Sequence, residues 1–369
     1  MLALVVLGLV IVYSSSFALG LVAFNDANYF VARQAVWAAI GVVLLIALMR
    51  IDYHWLRATS PLFMLAALVA LMAVLVPGLG VERGGAQRWL SLGPLPPLQP
   101  SEFAKLAVII YVSAWLAGRG AYIRSFALGF VPFVVMVGLV AGLILLQPDT
   151  GTAAVVVLTT VTLFFIAGAS LTHLAALTGI GGVTATFLIL TAGYRADRLF
   201  AFVRAEDDPG GIGFQTLQLL IALGSGGVSG LGLGASRQKF FYIPSSHTDG
   251  VFAVVGEEMG FIGAMAVLVL FAVLVYRGFR VVLAASDDFG ALLATGIVCW
   301  IAFQALINVG GITRAIPMTG IPMPFLSYGG SALAALLAGV GILLSISRYS
   351  NRAPPNGRTR RSPGQRGVR

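Results

Sequence analysis

Ten apolar runs, each about twenty residues long, constrain the fold of this chain more than any other feature of its sequence. They lie at 1–22, 31–49, 59–78, 101–118, 125–146, 151–169, 172–193, 251–276, 289–309 and 331–347. A helix needs about 20 apolar residues to cross the hydrocarbon core of a bilayer. Because backbone polar groups find no water in lipid, such runs must be helical. The sequence therefore predicts an all-α, polytopic membrane protein with about ten transmembrane helices.

The balance of apolar and charged residues agrees with this prediction. Of the 369 residues, 59% are hydrophobic and 10% are charged, whereas soluble domains carry about 25% charged residues. A net charge of +9 would suggest a nucleic-acid partner for a soluble protein. Here the basic residues lie mainly between the apolar runs and in the C-terminal tail, which is typical of contact with anionic lipid headgroups. We expect membrane lipids, and no nucleic acid, as partners.

The positions of arginine predict the side of the membrane that each loop faces. With a cytoplasmic N terminus, the short cytoplasmic loops carry Arg50, Arg57, Arg119, Arg124, Arg277 and Arg280, as the positive-inside rule requires. Residues 1–349 then form one transmembrane domain with a long outer loop at 194–250, between the seventh and eighth helices. Residues 350–369 are predicted to be a disordered, basic cytoplasmic tail. The first run could instead be a cleaved signal, but no basic residue precedes it.

Two motifs flank the start of the fourth predicted helix. Residues Gly85–Trp89 precede it, and Gln99–Lys105 open it, with Pro100 suited to a first helical turn. Glu102 and Lys105 are three residues apart and so share one face. They form either a salt bridge at the mouth of a helix or the charged wall of a substrate cavity, since ionisable groups within membrane spans usually face a cavity or the bundle interior.

The long loop and the turn before it carry weaker signals. Asp149, in the turn 147–152, is expected to cap the next helix. Residues 214–221 could form a short amphipathic helix at the interface. The glycine-rich stretch 224–234 lacks the preceding strand that a phosphate-cradling loop needs, so flexible backbone is predicted there rather than a nucleotide site.

Two further segments place polar groups where lipid tolerates few. Asp249 ends the long loop, and it could cap the following helix, act as a base, or do both. Glu257 and Glu258 follow within that helix and must point in different directions. The segment 317–331 contains three prolines and three glycines, so it cannot be a regular helix and must be buried in protein or line a cavity.

Taken together, these segments resemble the SEDS family of cell-wall polymerases, which includes RodA and FtsW. The motifs that carry the resemblance occur in the family's order and span about residues 1–349: Gly85–Trp89, Gln99–Lys105, 147–152, 244–263 and 317–331. The stretches 237–239 and 346–349 lean toward the FtsW-like branch. Each motif is weak alone, but five in order make a specific signal.

The resemblance implies a glycosyltransferase that polymerises lipid II into peptidoglycan strands at the outer face of the bacterial cytoplasmic membrane, for cell elongation or division. It implies that Asp249 is the essential acid, that Glu102 and Lys105 belong to the site, and that a class B penicillin-binding protein is the partner. Further candidates for contact with substrate are charged or polar residues in or near these motifs: Arg33, Arg88, Arg237, Lys239, His247 and Ser327.

These residue types suit the reaction. A carboxylate such as Asp249 can remove the proton of an attacking hydroxyl, and inversion at the anomeric carbon puts the base and the leaving group on opposite sides. The leaving pyrophosphate develops charge that arginine, lysine or a divalent cation can stabilise. The cation is left open, and no metal-ligand spacing surrounds the three histidines.

Two rival functions remain at this point. A transporter of lipid-linked precursors would place charges near the midplane in paired repeats, whereas a non-catalytic scaffold for a penicillin-binding protein would not need Asp249. The polar motifs cluster on one side and no matching halves are visible, which favours the polymerase.

Overall fold

The computed structural model describes residues 1–83, 86–92, 95–191, 193–207, 211–239, 243 and 246–350. Within these ranges the chain forms twelve α-helices: α1 Leu2–Phe24, α2 Tyr29–Arg50, α3 His54–Leu75, α4 Pro100–Ala117, α5 Val131–Leu146, α6 Thr150–Ile166, α7 Leu171–Thr191, α8 Gly193–Val203, α9 Ile212–Ser225, α10 Val251–Ala284, α11 Asp288–Ile312 and α12 Gly330–Ser350. Apart from Ser350, the predicted tail lies outside the described residues.

The helices reproduce the predicted membrane spans. Nine described helical segments, counting α5 with the π-helical turn before it, are long and apolar enough to cross a bilayer. The tenth, α6, is apolar with 17 residues, which still spans most of a hydrocarbon core at 1.5 Å per residue. The remaining two helices, α8 and α9, lie in the long loop. The predicted polytopic, helical class is confirmed.

Among the described residues, a small β-sheet departs from the all-α prediction. It lies between α3 and α4 and has three antiparallel strands, β1 (Gly80–Arg83), β2 (Ala86–Leu92) and β3 (Leu95–Leu98), in the order β1-β2-β3. This sheet was not predicted because its strands are short and β3 holds two prolines. Proline is tolerated in an edge strand, where its missing N–H breaks no ladder.

The helix bundle has two ends, and each is identified by a hydrogen bond between the turns or helix ends that lie there. At one end the α2–α3 turn meets the end of α12, where the Ser345 hydroxyl donates to Ile51 O at 2.7 Å. At the other end Tyr328 N, just before α12, donates to His247 O at 2.8 Å. We refer to the latter as the Asp249 end. The most buried spans are α11 and α12, whereas α7 buries only His173 and lies at the periphery.

Helix α10 is interrupted at Gly260, where φ is 66° and ψ is −167°. The broken helical bonds are replaced by the glycine-rich stretch of the long loop. Leu231 N and Gly232 N donate to the carbonyls of Glu257 and Glu258, each at 3.0 Å. In return, the N–H groups of 261 and 262 donate to the carbonyls of 227 and 228 at 2.9 and 3.1 Å. The stretch predicted to be flexible is thus fixed by backbone pairing.

Gly260→Ala is expected to destabilise the protein strongly. The observed φ and ψ are accessible essentially only to glycine, which alone costs about 1–3 kcal/mol for another residue. An added Cβ would also lie 2.3 Å from Gly230 N and 2.6 Å from Val228 O. Thermal unfolding of the detergent-purified protein measures the effect. The control is Gly142→Ala in α5, where an added Cβ meets no atom within 4 Å. Equal stability of the two variants would contradict the pairing.

Candidate active site around Asp249

Asp249 lies immediately before α10 and is partly exposed. The N-cap of α10 is Gly250, and no side chain caps this helix, so the capping role expected as one alternative for Asp249 is wrong. Asn308 of α11 donates from Nδ2 to Asp249 O at 2.9 Å and to Ile321 O at 2.8 Å. Thr248 Oγ1 donates to the Asp249 carboxylate at 3.1 Å. The backbone of the acid is therefore fixed, and the residue as a whole stays partly exposed.

A non-helical segment between α11 and α12 forms one wall of this site, as predicted from its prolines and glycines. It penetrates far into the bundle, since a Cβ on Gly8 of α1 would lie 2.2 Å from Phe325 O. Gln34 of α2 donates to Ser327 O at 3.2 Å and accepts from Gly329 N at 3.1 Å. The Ser327 hydroxyl accepts from Met323 N at 2.8 Å, so in this arrangement it closes a turn.

The charge of Asp249 is set by opposing influences. Burial raises the pKa of its carboxyl group, and the Thr248 hydroxyl and the Arg198 guanidinium lower it in part. His247 packs its ring against Phe30, with centroids 4.8 Å apart. Burial lowers the pKa of His247 to about 4, so this histidine is neutral at pH 7 and contributes no positive charge.

Glu102 and Lys105 form a buried polar cluster with α11. Lys105 Nζ lies 3.0 and 2.9 Å from the two carboxylate oxygens of Glu102 and 2.8 Å from Gln304 Oε1. Gln304 also accepts from Trp300 Nε1 at 2.8 Å and donates to Pro322 O at 3.1 Å. The salt bridge, which was one of the two alternatives that the sequence left for Glu102 and Lys105, is present. Through Gln304 it supports the non-helical segment that forms one wall of the site.

Lys239 lies in a second buried cluster. Its ammonium group is 2.8 Å from Glu258 Oε1, 3.1 Å from Ser14 Oγ and 2.7 Å from Gly234 O. A lysine ammonium has three donors, and these partners use all three. Contact with a pyrophosphate, as predicted for Lys239, would require some of these bonds to break, and the observed arrangement gives it a structural role.

Glu257, the neighbour of Glu258 in α10, also binds the loop that carries Lys239. Glu257 accepts hydrogen bonds from the Ser236 hydroxyl and from Arg237 N, the latter at 2.9 Å. Glu257 and Glu258 thus point to different partners, as expected for adjacent helical residues. The Arg237 side chain itself is exposed.

The other predicted basic residues differ in their availability. Arg88 donates from Nε to Gln147 O at 2.9 Å and from Nη2 to Pro148 O, so it fastens β2 to the turn before α6. Arg33 stacks over the Tyr29 ring at 4.0 Å and stays partly exposed. Among the described residues, Arg33 and Arg237 are consequently the predicted cations that a charged substrate can contact without displacing the side-chain hydrogen bonds described above.

Asp149 behaves as the sequence predicted. Its Oδ1 accepts from Thr152 N at 3.1 Å, which is the N-cap bond of α6. Its other oxygen accepts from Gln99 at 3.4 Å. This acid is structural.

Three residues of the site were not predicted: Arg198, Gln304 and Asn308. Gln304 and Asn308 are four residues apart on α11, and two polar residues on one face of an apolar span are a signal that sequence reasoning could have used. No feature of the sequence distinguished Arg198 from the other arginines of the long loop. In the part of the chain that the structure describes, no three His, Cys, Asp or Glu side chains converge as metal ligands would.

The fold and this site define an integral membrane protein with a cluster of polar residues around Asp249 at one end of its helix bundle. Over residues 1–352 the chain matches a family model described as "Cell cycle protein", FTSW_RODA_SPOVE. The chain belongs to this family of FtsW, RodA and SpoVE proteins, which confirms the resemblance inferred from its motifs.

Individual relatives agree with this assignment. The chain is 44% identical over 349 residues to stage V sporulation protein E of Bacillus subtilis, with 95% of each chain covered. It is 42% identical over 360 residues to the probable peptidoglycan glycosyltransferase FtsW of Trichlorobacter lovleyi, with 96% and 93% covered. The expected glycosyltransferase activity agrees with the name of this FtsW relative, and the expected lean toward the FtsW-like branch agrees with these identities.

Two solved structures are similar along nearly the whole chain. One belongs to a peptidoglycan synthase complex that coordinates polymerization and crosslinking, with a TM-score of 0.75, 30% identity, and 93% and 97% of the chains covered. The other is the rod shape determining protein RodA of Thermus thermophilus, with a TM-score of 0.68, 30% identity and 94% of each chain covered. At this identity both the fold and the family are shared.

Proposed function

We propose that this chain is a peptidoglycan glycosyltransferase that polymerises lipid II, with Asp249 as its general base. The observation that carries the proposal is an acid with a fixed backbone, partial exposure and a pKa that burial raises, in a family whose FtsW relatives are named for this activity. A carboxylate held in this way is suited to remove a proton from a sugar hydroxyl near neutral pH.

The groups around Asp249 suggest a separate role for each of them in the reaction. The acceptor 4-hydroxyl lies against the Asp249 carboxylate and loses its proton as it attacks the anomeric carbon. The undecaprenyl pyrophosphate leaves from the opposite side of that carbon, as inversion requires. Arg33 and Arg237 are the candidates to bind the pyrophosphate, because arginine pairs with phosphate through two parallel hydrogen bonds. Lys105 and Glu102 support the non-helical segment beside Asp249 through Gln304.

A divalent cation remains a proposal. Since the described side chains offer no converging set of three acidic or histidine ligands, a cation would be held chiefly by the pyrophosphate itself. Magnesium commonly binds in this way, with substrate phosphates, a few carboxylates and water. When bound there it would neutralise charge on the leaving group.

We place the Asp249 end on the outer side of the bacterial cytoplasmic membrane, with both termini in the cytoplasm. The opposite end supports this orientation because arginines lie in its short turns or in the adjoining helix ends, as the positive-inside rule requires for the cytoplasmic side: Arg50, Arg57, Arg119, Arg124, Arg277 and Arg280. A class B penicillin-binding protein is the proposed partner, and the similarity to a synthase that couples polymerization to crosslinking supports it.

Purified full-length protein in liposomes, supplied with lipid II, should produce glycan strands that are resolved on gels. The assay is run with and without a class B penicillin-binding protein whose own active site is inactivated, and with and without a chelator. Movement of labelled lipid II across the bilayer without strand formation would favour the transporter. Failure to form strands under any of these conditions, with correctly folded protein and partner, would leave the scaffold as the better function.

A further inference from the structure

Two arginines join the long loop to the non-helical segment in opposite directions. Arg198 of α8 donates from Nη1 to Thr319 O at 2.9 Å and to Met318 O at 3.4 Å. Arg314, which follows α11, donates to Phe202 O at 2.9 Å. It also donates to Val203 O at 3.2 Å and pairs with Glu206 at 3.1 Å. Each arginine therefore binds backbone carbonyls of the element that holds the other one.

Only one of these two arginines acts on the candidate base. A Cβ built on Gly320 would lie 3.5 Å from Arg198 Nη2 and 3.7 Å from Asp249 Oδ2. The guanidinium and the carboxylate thus flank the same glycine, where φ is 73°. The positive charge of Arg198 favours the ionised form of Asp249, whereas the guanidinium of Arg314 is directed at α8 and Glu206.

We propose that Arg198 is a positioning residue for the transferase reaction: it holds the 318–320 backbone beside Asp249 and places a positive charge where it favours the ionised form of this base. The inference rests on the proposed function, in which Asp249 is the base. It assigns to α8, a helix of the long loop, a direct part in preparing the acid, which no motif in the sequence indicated.

The other charged groups near the acid do not replace this charge. On the loop before α10, His247 is neutral because burial lowers its pKa to about 4. From α11, Asn308 offers an uncharged amide. At the start of α6, the carboxylate of Asp149 binds Thr152 N and Gln99, and a Cβ on the nearby Gly151 would lie 3.2 Å from Thr319 O, so α6 packs against the non-helical segment. Among the described residues, Arg198 is the cation whose charge acts on Asp249.

The test is the pH profile of lipid II polymerisation for Arg198→Gln. The glutamine keeps an amide donor for the carbonyls but removes the charge. We expect the acidic limb of kcat to move upward by about one pH unit, the scale for a nearby opposite charge. At pH values below both limbs the rate should fall about tenfold, which is the effect of one pKa unit, and at pH values above both limbs it should be largely unchanged. Arg198→Lys, which restores the charge, should return the limb toward its original position.

Arg314→Gln is the matched control, because it breaks the same junction without removing charge from Asp249. It should lower the rate at every pH and leave the limb where it was. An unshifted limb in Arg198→Gln, or equal shifts in both arginine variants, would overturn the inference while polymerisation by the unmodified protein upholds the proposed function. The melting temperature shows whether Arg198→Gln folds. If it does not, Arg198→Lys tests the inference, and its acidic limb must then lie within a few tenths of a pH unit of that of the unmodified protein.

Discussion

Replacement of Asp249 by asparagine should reduce glycan polymerisation by about 10²–10⁴-fold, the usual contribution of a general base. Asparagine preserves the shape of the side chain but cannot take up the proton of the attacking hydroxyl. The backbone bond from Asn308 to Asp249 O does not involve the changed side chain, so folding should be retained. The rate of strand formation from lipid II, measured beside the melting temperature, separates loss of chemistry from loss of structure.

The matched control is Asp149→Asn, which makes the same chemical change at another acid of this end. Asparagine caps helices about as well as aspartate, so α6 should keep its cap and the enzyme its rate. The pH dependence adds a second criterion. Because Asp249 acts only when ionised, and burial raises its pKa, activity should be lost as the pH falls through a value above the ordinary range of aspartate. Full polymerisation by the Asp249→Asn protein would end the proposed mechanism.

Lys239→Met should have the largest effect on stability. The side chains of Lys239 and Glu258 are 1% and 0% exposed, and removal of one partner of a buried ion pair costs about 3–5 kcal/mol because the remaining charge is uncompensated. The cost should appear as a large fall in the melting temperature in detergent, or in the free energy of unfolding by denaturant.

A second substitution tests whether the loss of stability comes from the Glu258 carboxylate that remains without its cation. Lys239→Met combined with Glu258→Leu removes both charges, and such replacements are often neutral, so most of the lost stability should return. Arg237→Met, which removes an exposed cation two residues away, should change stability little. A stable Lys239→Met protein would show that the ammonium is not needed for the loop and would revive its predicted contact with pyrophosphate.

The site shows where sequence reasoning reaches its limit. The prediction that Asp249 is the essential acid came from the resemblance of its motif, and the i, i+3 spacing of Glu102 and Lys105 gave the salt bridge that forms as one of two alternatives. By contrast, Lys239 and Arg237 looked equivalent in the sequence, yet one is buried against Glu258 and the other is exposed. Which side of a loop faces the core depends on packing against α1 and α10, and no local pattern in the loop encodes that.

The sequence by itself determined that this chain spans a membrane many times, and it set the bounds of nearly every span. That is because the transfer of apolar side chains and the satisfaction of backbone hydrogen bonds act locally, residue by residue. Only the tertiary structure decided what surrounds Asp249. Arg198, Asn308 and Gly320 are 51, 59 and 71 positions away from it in the chain, and their contacts exist because the long loop and the non-helical segment pack together at one end of the bundle.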